Sequence, residues 1–175
     1  MVPQVTEEGQ SPPTLAQTTA SVARVMGAED FPTGERARLK RWSPGTAPSL
    51  AFYRFAVRYL PEGWERQPEA WMTFTTSIAL MCPNPHRPNL PLGRALADTG
   101  YAEARLERLL AAEGDTLQTL LLRAARFLRA KNASCNCTDF AYLLGLRGDP
   151  QRVRLRIARD YYRELQRSQT ATSRG

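Results

Sequence analysis

Apolar residues recur at helical spacing along most of the chain. In residues 115–131 they stand at i, i+3, i+4 and i+7, the spacing that places apolar side chains on one face of a helix. This core-facing set is Leu117, Leu120, Leu121, Ala124, Phe127 and Leu128. Only residues 71–78 have the β-branched content typical of a strand, and their flanks favour a helix.

The spacing and its breaks predict an all-α fold of about eight or nine helices. Pro68 and Pro150 suit the first position of a helix, while Asp149 and Thr138 are expected to act as caps. Helices are predicted over residues 19–27, 34–42, 48–60, 68–81, 92–97, 102–112, 115–131, 138–146 and 150–166.

Two small helical bundles are expected, over residues 19–100 and 101–168. Residues 83–91 hold four prolines and are the candidate linker near the boundary between them. Residues 1–18 are rich in Pro, Gln and Thr without a hydrophobic period, which predicts a disordered tail. Residues 169–175 are expected to form a flexible C-terminus.

The chain is basic, and its positive charge is almost entirely arginine. Lys and Arg number 24 against 17 Asp and Glu, a formal net charge of +7, and the lysines are Lys40 and Lys131. The planar guanidinium binds phosphate through two parallel hydrogen bonds and stacks on bases, which favours a nucleic-acid partner. A basic protein whose charge only keeps it soluble is the alternative.

Nothing in the chain favours a membrane partner or secretion. No stretch approaches the roughly 20 apolar residues that span a bilayer. The first residues lack the basic-then-apolar pattern of a secretory signal. Basic amphipathic helices also bind lipid surfaces, but the apolar faces here are expected to pack against other helices in the core of the domain. An odd number of Cys, three, suits a reducing compartment, so a cytoplasmic protein is expected.

The last predicted helix has the clearest basic face. At 100° per residue, five of its arginines fall within an arc of roughly 80°, while an apolar ladder lies on another face. The arginines are Arg152, Arg156, Arg159, Arg163 and Arg167, and the ladder is Val153, Ile157, Tyr161 and Leu165. A row of guanidinium groups about 5–6 Å apart can follow a phosphate backbone. Alternatively, Asp160 and Glu164 pair with the neighbouring arginines.

Two further basic clusters support a nucleic-acid partner. The first precedes Trp42, which either stacks on bases of a single strand or anchors the core. The second lies on the helix at residues 115–131. The first cluster is Arg36, Arg38, Lys40 and Arg41, and the second is Arg123, Arg126, Arg129 and Lys131. Three basic clusters in a short chain predict contacts spread along a nucleic-acid backbone.

One motif points to different chemistry. Asp98-Thr99-Gly100 matches the aspartic-protease triplet, in which two such aspartates, each following a β-strand, share one proton. Residues 92–97 instead predict a helix that ends at Gly100, so no catalytic residue is expected.

The cysteines and the single histidine raise the question of zinc. Zinc takes four Cys or His ligands, and the chain holds Cys82, His86, Cys135 and Cys137. The Cys-x-Cys spacing is uncommon in structural zinc sites, and free thiols at a helix–loop junction are the alternative. No metal or other cofactor is predicted.

Four segments, in order along the chain, resemble one known family. They are residues 34–41 (Gly-Glu-Arg-Ala-Arg-Leu-Lys-Arg), 51–55 (Ala-Phe-Tyr-Arg-Phe), 92–97 (Leu-Gly-Arg-Ala-Leu-Ala) with Gly100, Glu103 and Arg105 after it, and 152–163 with Ala-Arg-Asp-Tyr-Tyr inside it. Their order and spacing are similar to those of the CasB family, the small subunit of the type I-E CRISPR Cascade complex. The N-terminal tail and the turn at residues 135–137 depart from the family.

The resemblance implies an all-helical, non-catalytic subunit of two small bundles, present as two copies in the complex. It implies contacts with CRISPR RNA and target DNA and a role in steadying the displaced strand of the R-loop. Transferred position by position, the basic residues of the family are Lys40, Arg41, Arg94, Arg105 and Arg123. Together with the clusters above, the predicted nucleic-acid-binding residues are Arg36, Arg38, Lys40, Arg41, Arg94, Arg105, Arg123, Arg126, Arg152, Arg156, Arg159 and Arg163.

The expected function is therefore a nucleic-acid-binding Cascade subunit. Its expected partners are CRISPR RNA, the target and displaced DNA strands, other Cascade subunits and a second copy of the chain. The alternative is a purely structural helical scaffold whose arginines bind acidic protein partners. An acid protease built on Asp98 is a third hypothesis.

Overall fold

The computed structural model describes residues 11–173, and the regular elements within them are helices, apart from one bridge between His86 and Cys135. This confirms the predicted all-α fold. The helices are α1 (Leu15–Gly27), α2 (Thr33–Lys40), α3 (Leu50–Tyr59), α4 (Pro68–Met81), α5 (Leu92–Asp98), α6 (Glu103–Ala111), α7 (Gly114–Ala130), α8 (Thr138–Leu143) and α9 (Pro150–Thr172), with a 3₁₀ turn at Trp64–Arg66. None of these helices is long and apolar enough to cross a bilayer.

Helix α4 is the centre of the fold. Every side chain of residues 71–79 is buried, so this part of the helix has no solvent face. A helix without a solvent face must be enclosed by its neighbours, and α1, α2, α7 and α8 pack around it. The hydroxyls of Thr73 and Ser77 donate to backbone carbonyls of the preceding turn at 2.8 and 2.7 Å. These bonds satisfy polar groups that would otherwise be costly in a core.

The predicted apolar stripe of α7 faces α4. The stripe residues Leu117, Leu121, Ala124 and Leu128 are buried, whereas Leu120 and Phe127 lie partly buried at its edge. The packing of α4 against α7 and of α1 against α8 joins the two halves of the chain across the predicted boundary near residue 100. The division into two bundles stays a prediction.

Helices α5 and α9 cross at the backbone of Gly93. A Cβ atom at this position would lie 2.1 Å from the carbonyl oxygen of Ile157, so the approach requires glycine. Val153, Ile157 and Tyr161 are buried, and the Tyr161 hydroxyl donates to the Tyr101 carbonyl. The predicted apolar ladder is therefore the contact face of α9.

The carboxylate of Asp139 joins three helices. From α8, its Oδ2 atom accepts a hydrogen bond from the backbone N–H of Leu92 at the start of α5, at 2.9 Å. Its Oδ1 atom pairs with the guanidinium of Arg156 on α9. The Asp139 side chain is 3% exposed, and a buried charge of this kind needs both a counter-charge and hydrogen bonds.

The first helix begins earlier than predicted. It starts at Leu15 and not at residue 19, because Thr14 and Gln17 form a capping box. The Thr14 hydroxyl accepts from the Gln17 N–H at 3.2 Å, and the Gln17 side chain accepts from the Thr14 N–H at 2.8 Å. Of the predicted tail, residues 1–10 lie outside the described part of the chain.

The predicted caps of the last two helices have different outcomes. Asp149 caps α9 as predicted, accepting from the N–H of Gln151 at 2.9 Å. The helix then continues to Thr172, beyond the predicted end at residue 166. Thr138 is the first residue of α8 and not its cap, and its backbone N–H donates to the side-chain oxygen of Asn136 at 3.1 Å.

We predict that Gly93→Ala lowers the free energy of unfolding by about 2–3 kcal/mol, because the added methyl group overlaps the backbone of α9. The matched control is Gly34→Ala in α2, where a Cβ meets nothing within 4 Å. The control should leave stability unchanged or raise it by up to about 1 kcal/mol. Urea unfolding followed by circular dichroism measures both. Equal effects of the two substitutions would contradict the close crossing.

Candidate nucleic-acid interface

Three of the five arginines on the predicted basic face of α9 have acidic partners. Arg156 binds the buried Asp139 carboxylate, and its guanidinium lies 5.7 Å from the centre of the Tyr142 ring. Arg159 and Arg167 pair with neighbouring acids of α9 at 3.0 and 3.2 Å. The pairing of Asp160 and Glu164 with arginines, weighed from the sequence as an alternative, is thus present. Arg152 and Arg163 remain exposed, with no acidic partner among residues 11–173.

Arg154 also lies on α9, but on the side that faces the protein. Its Nη2 atom donates to the Ala112 carbonyl at 2.8 Å, and Nη1 lies 3.9 Å from Glu113. Its side chain is only 12% exposed. Arg154 therefore holds the segment between α6 and α7 against α9.

Two predicted binding residues outside α9 also have internal partners. Arg36 donates to the backbone carbonyls of Met26 and Ala28 at 3.0 and 2.8 Å, so it holds α2 against the end of α1. Arg94 on α5 lies 3.3 Å from Glu164 and 3.7 Å from Asp98. These contacts leave less of each guanidinium available for a partner.

Trp42, which follows the first basic cluster, is part of the core. It is buried and donates from its indole to the Thr46 carbonyl at 3.1 Å, which makes it a core anchor. Burial raises the pKa of the nearby Cys82 thiol, while the positive charges of Arg36, Lys40 and Arg129 oppose that shift.

A cleft between α6 and α7 gathers three arginines. It encloses about 460 Å³. The lining residues are Tyr101, Arg105, Arg108, Leu120, Arg123 and Phe127. None of the three arginines has an acidic partner within the described part of the chain. Arg108 donates from Nε to the Ala104 carbonyl of its own helix at 3.2 Å, and its two terminal nitrogens make no hydrogen bond with the described residues. Arg105 and Arg123 were expected from the sequence, but Arg108 was not, although its i, i+3 spacing from Arg105 was a usable signal.

Three of the four zinc-ligand candidates make side-chain contacts with backbone groups. The Cys82 thiol lies 3.4 Å from the carbonyls of Met26 and Ile78. The Cys137 thiol donates to the Pro85 carbonyl at 3.0 Å, and Nδ1 of His86 accepts from the Cys137 N–H at 3.1 Å. The described residues contain no group of three or more His, Cys, Asp or Glu arranged to hold a metal ion.

The protease-like triplet lies at the end of a helix. Asp98 is the last residue of α5, and Gly100 follows with a φ of +76°. Burial, together with the neighbouring Glu164 carboxyl, raises the pKa of Asp98, while Arg94 opposes the shift. The predicted helix is therefore present where an aspartic protease has a strand.

Comparison with known proteins places the chain in a family. Residues 35–162 match the model of the family described as CRISPR-associated protein Cse2. The chain belongs to this family. The matched range includes all of α3 to α8, and with them the α6–α7 cleft. The resemblance identified from the four sequence segments is confirmed at the level of the family.

A solved structure shares the fold. It is a chain of Escherichia coli Cascade bound to a double-stranded DNA target that contains a PAM. The two chains superpose with a TM-score of 0.64, and the alignment covers 85% of this chain and 96% of that chain at 22% sequence identity. No curated protein sequence matches the chain.

We predict that Arg156→Gln lowers the free energy of unfolding by about 1–3 kcal/mol, because it leaves the buried Asp139 carboxylate without its counter-charge. Arg152→Gln is the control on the same helix, and it should change stability by less than about 0.5 kcal/mol. Adding Asp139→Asn to Arg156→Gln should recover part of the loss. Urea unfolding measures the series, and equal losses at positions 152 and 156 would contradict the structural role of Arg156.

Proposed function

We propose that this chain is a non-catalytic subunit of a type I-E Cascade complex that binds nucleic-acid backbone. In this role it contacts CRISPR RNA and the target DNA, and it steadies the displaced strand of the R-loop. Its other partners are the remaining Cascade subunits and a second copy of the chain. Membership of the Cse2 family and the fold shared with a chain of E. coli Cascade support the proposal.

The observation that carries the proposal is a set of arginines without acidic partners on α6 and α7. In the described part of the chain, the salt bridges engage arginines of α3, α5 and α9. Apart from Arg36, the basic residues without an acidic partner on or next to α2, α6, α7 and α9 are Arg38, Lys40, Arg41, Arg105, Arg108, Arg123, Arg126, Arg129, Lys131, Arg152 and Arg163. Arg24, Arg58, Arg66, Arg87 and Arg147 also lack an acidic partner but are scattered over other elements. Exposed guanidinium groups that lack internal counter-charges favour a polyanionic partner.

Backbone binding suits a subunit of an RNA-guided complex. In such complexes, base pairing with the guide RNA supplies sequence specificity. Contacts with phosphates position a protein on a strand without reading its bases. Rigid helices with arginines on their surface can supply such contacts without inserting into a groove of the duplex. We therefore expect sequence-independent affinity.

We leave four predicted residues out of the proposed surface. Arg36, Arg94, Arg156 and Arg159 contact backbone carbonyls or carboxylates of the protein itself. A phosphate would have to compete with these internal partners. The proposed surface consists of the basic residues of α6 and α7, the end of α2, and the two unpaired arginines of α9.

The proposal predicts that log Kd rises linearly with log salt concentration for single-stranded DNA, RNA and duplex, with a slope of about 0.7–0.9 per phosphate contact. The double substitution Arg126→Glu/Arg129→Glu on α7 should weaken binding at least about tenfold and reduce the slope by about two contacts. Fluorescence anisotropy of labelled strands with the full chain measures both quantities.

The control for this experiment is Arg58→Glu/Arg66→Glu, which makes the same change in net charge on α3 and the 3₁₀ turn. It should weaken binding by no more than about threefold, because these residues lie outside the proposed surface. Equal losses in the two variants would show that net charge alone determines affinity. Absence of binding by the unmodified chain at low salt would contradict the function itself.

A further inference from the structure

The cleft between α6 and α7 has the size of a ligand site. Its volume of about 460 Å³ lies within the roughly 300–1,000 Å³ typical of pockets for small molecules. The charged residues that line it are all arginines: Arg105, Arg108 and Arg123. Each is exposed at the mouth of the cleft, whereas Tyr101 beneath them is only 4% exposed.

Tyr101 is held rigidly beside these arginines. Its backbone carbonyl accepts from the Tyr161 hydroxyl, and its ring packs edge-on against Phe127 with the ring centres 5.1 Å apart. Its own hydroxyl makes no hydrogen bond with any of residues 11–173, and its oxygen is not one of the fully enclosed polar atoms of this part of the chain. The ring of Tyr101 is therefore buried, while its hydroxyl is accessible from the cleft that it lines.

The three guanidinium groups lie near this hydroxyl. Burial raises the pKa of Tyr101, and the charges of Arg105, Arg108 and Arg123 oppose the shift. The phenol therefore keeps its proton at neutral pH and is a hydrogen-bond donor. A neutral O–H donor beside three guanidinium groups matches an anion with several acceptor oxygens. Guanidinium groups bind both carboxylate and phosphate with two parallel bonds, and phosphate offers more acceptor oxygens to three arginines and a phenol.

The α7 wall of the cleft carries apolar side chains on both sides of Arg123. Leu120 and Phe127, at the edge of the α7 stripe, are partly buried and line it, and the Lys131 ammonium lies 5.8 Å from the centre of the Phe127 ring. Aromatic and apolar walls accept the face of a nucleobase. In a duplex each base is stacked and paired, so only a nucleotide of a single strand can turn its base into such a cleft.

We propose that the α6–α7 cleft holds one unstacked nucleotide of a single strand, with its phosphate on Arg105, Arg108, Arg123 and the Tyr101 hydroxyl and its base against Leu120 and Phe127. The inference rests on the proposed function, because it specifies where and how that surface holds a strand. It adds a preference for single-stranded over duplex nucleic acid at this position.

The test compares two substitutions on one helix that remove the same charge. Arg123→Gln lies in the cleft, and Arg126→Gln lies outside it on α7. For single-stranded DNA or RNA, Arg123→Gln should raise Kd about tenfold or more, whereas Arg126→Gln should raise it about twofold to threefold. For duplex DNA, both should raise Kd by the same small factor. Fluorescence anisotropy at one salt concentration measures Kd for each full-length variant with the single strands and with the duplex.

Tyr101→Phe removes only the hydroxyl. It should raise Kd for single strands about fivefold without an effect on duplex binding. The matched control is Tyr53→Phe, at an exposed tyrosine of α3, which should change neither. Circular dichroism confirms that each variant is folded.

Photo-crosslinking gives a readout that does not depend on affinity. A single strand containing 5-iodouridine reacts with aromatic side chains that touch the base, and mass spectrometry identifies the modified peptide. Crosslinks to Phe127 or Tyr101 are expected. Crosslinks confined to other aromatic residues would overturn the inference.

The outcomes separate the inference from the proposed function. If the chain binds nucleic acid but Arg123→Gln and Arg126→Gln have equal effects on single strands, the cleft is not a nucleotide site and the general function stands. If Arg123→Gln weakens duplex binding as strongly as single-strand binding, the preference for an unstacked nucleotide is wrong. If the unmodified chain binds no strand, both the proposed function and the proposed nucleotide site are wrong.

Discussion

The close crossing of α5 and α9 determines which surfaces of this protein are available to partners. With no side chain at Gly93, the backbone of α5 approaches the carbonyl of Ile157 on α9. This contact fixes the rotation of α9 about its own axis. Arg154 then faces the protein and reaches the Ala112 carbonyl, and Arg156 reaches the carboxylate of Asp139. Since one face of α9 serves these contacts, the helix offers fewer arginines to nucleic acid than its sequence pattern indicates.

The sequence predicted the helices well and their ends less well. Apolar spacing determines which face of a helix is buried, and the buried set Leu117, Leu121, Ala124 and Leu128 of α7 follows from it directly. The ends of the helices depend on short-range hydrogen bonds, which the apolar pattern of the sequence does not show. The capping box of Thr14 and Gln17 starts α1 inside a segment whose composition predicts disorder. At the other terminus, the hydroxyls of Ser168, Thr170 and Thr172 each donate to a carbonyl four residues earlier, as α9 continues past its apolar ladder.

The candidate site could be predicted only in part, because a pattern shows where charges lie on a helix but not which partners they meet. Asp139 stands 17 residues before Arg156 in sequence, and its burial against α5 is a tertiary feature. Arg36 likewise contacts carbonyls at the end of α1 that no periodicity associates with it. The cleft arises because α6 and α7 place Arg105, Arg108 and Arg123 on opposite sides of one space. Two of these residues were predicted from the family resemblance, and Arg108 was missed although it lies one turn after Arg105 on α6.

The crossing of α5 and α9 also positions Tyr101, which lines the cleft between α6 and α7. Tyr161 lies on the buried face of α9, and its hydroxyl holds the backbone of Tyr101 in place. Three exposed guanidinium groups beside the Tyr101 hydroxyl repel each other, and no acid among the cleft-lining residues offsets that repulsion. An anion in the cleft would relieve it and would accept the hydrogen bond that Tyr101 lacks. Binding energy would then come from a site already organised by the core, so that little conformational freedom is lost when the ligand enters. A nucleotide site at this position is thus a consequence of how the last helix packs, and not of its basic face.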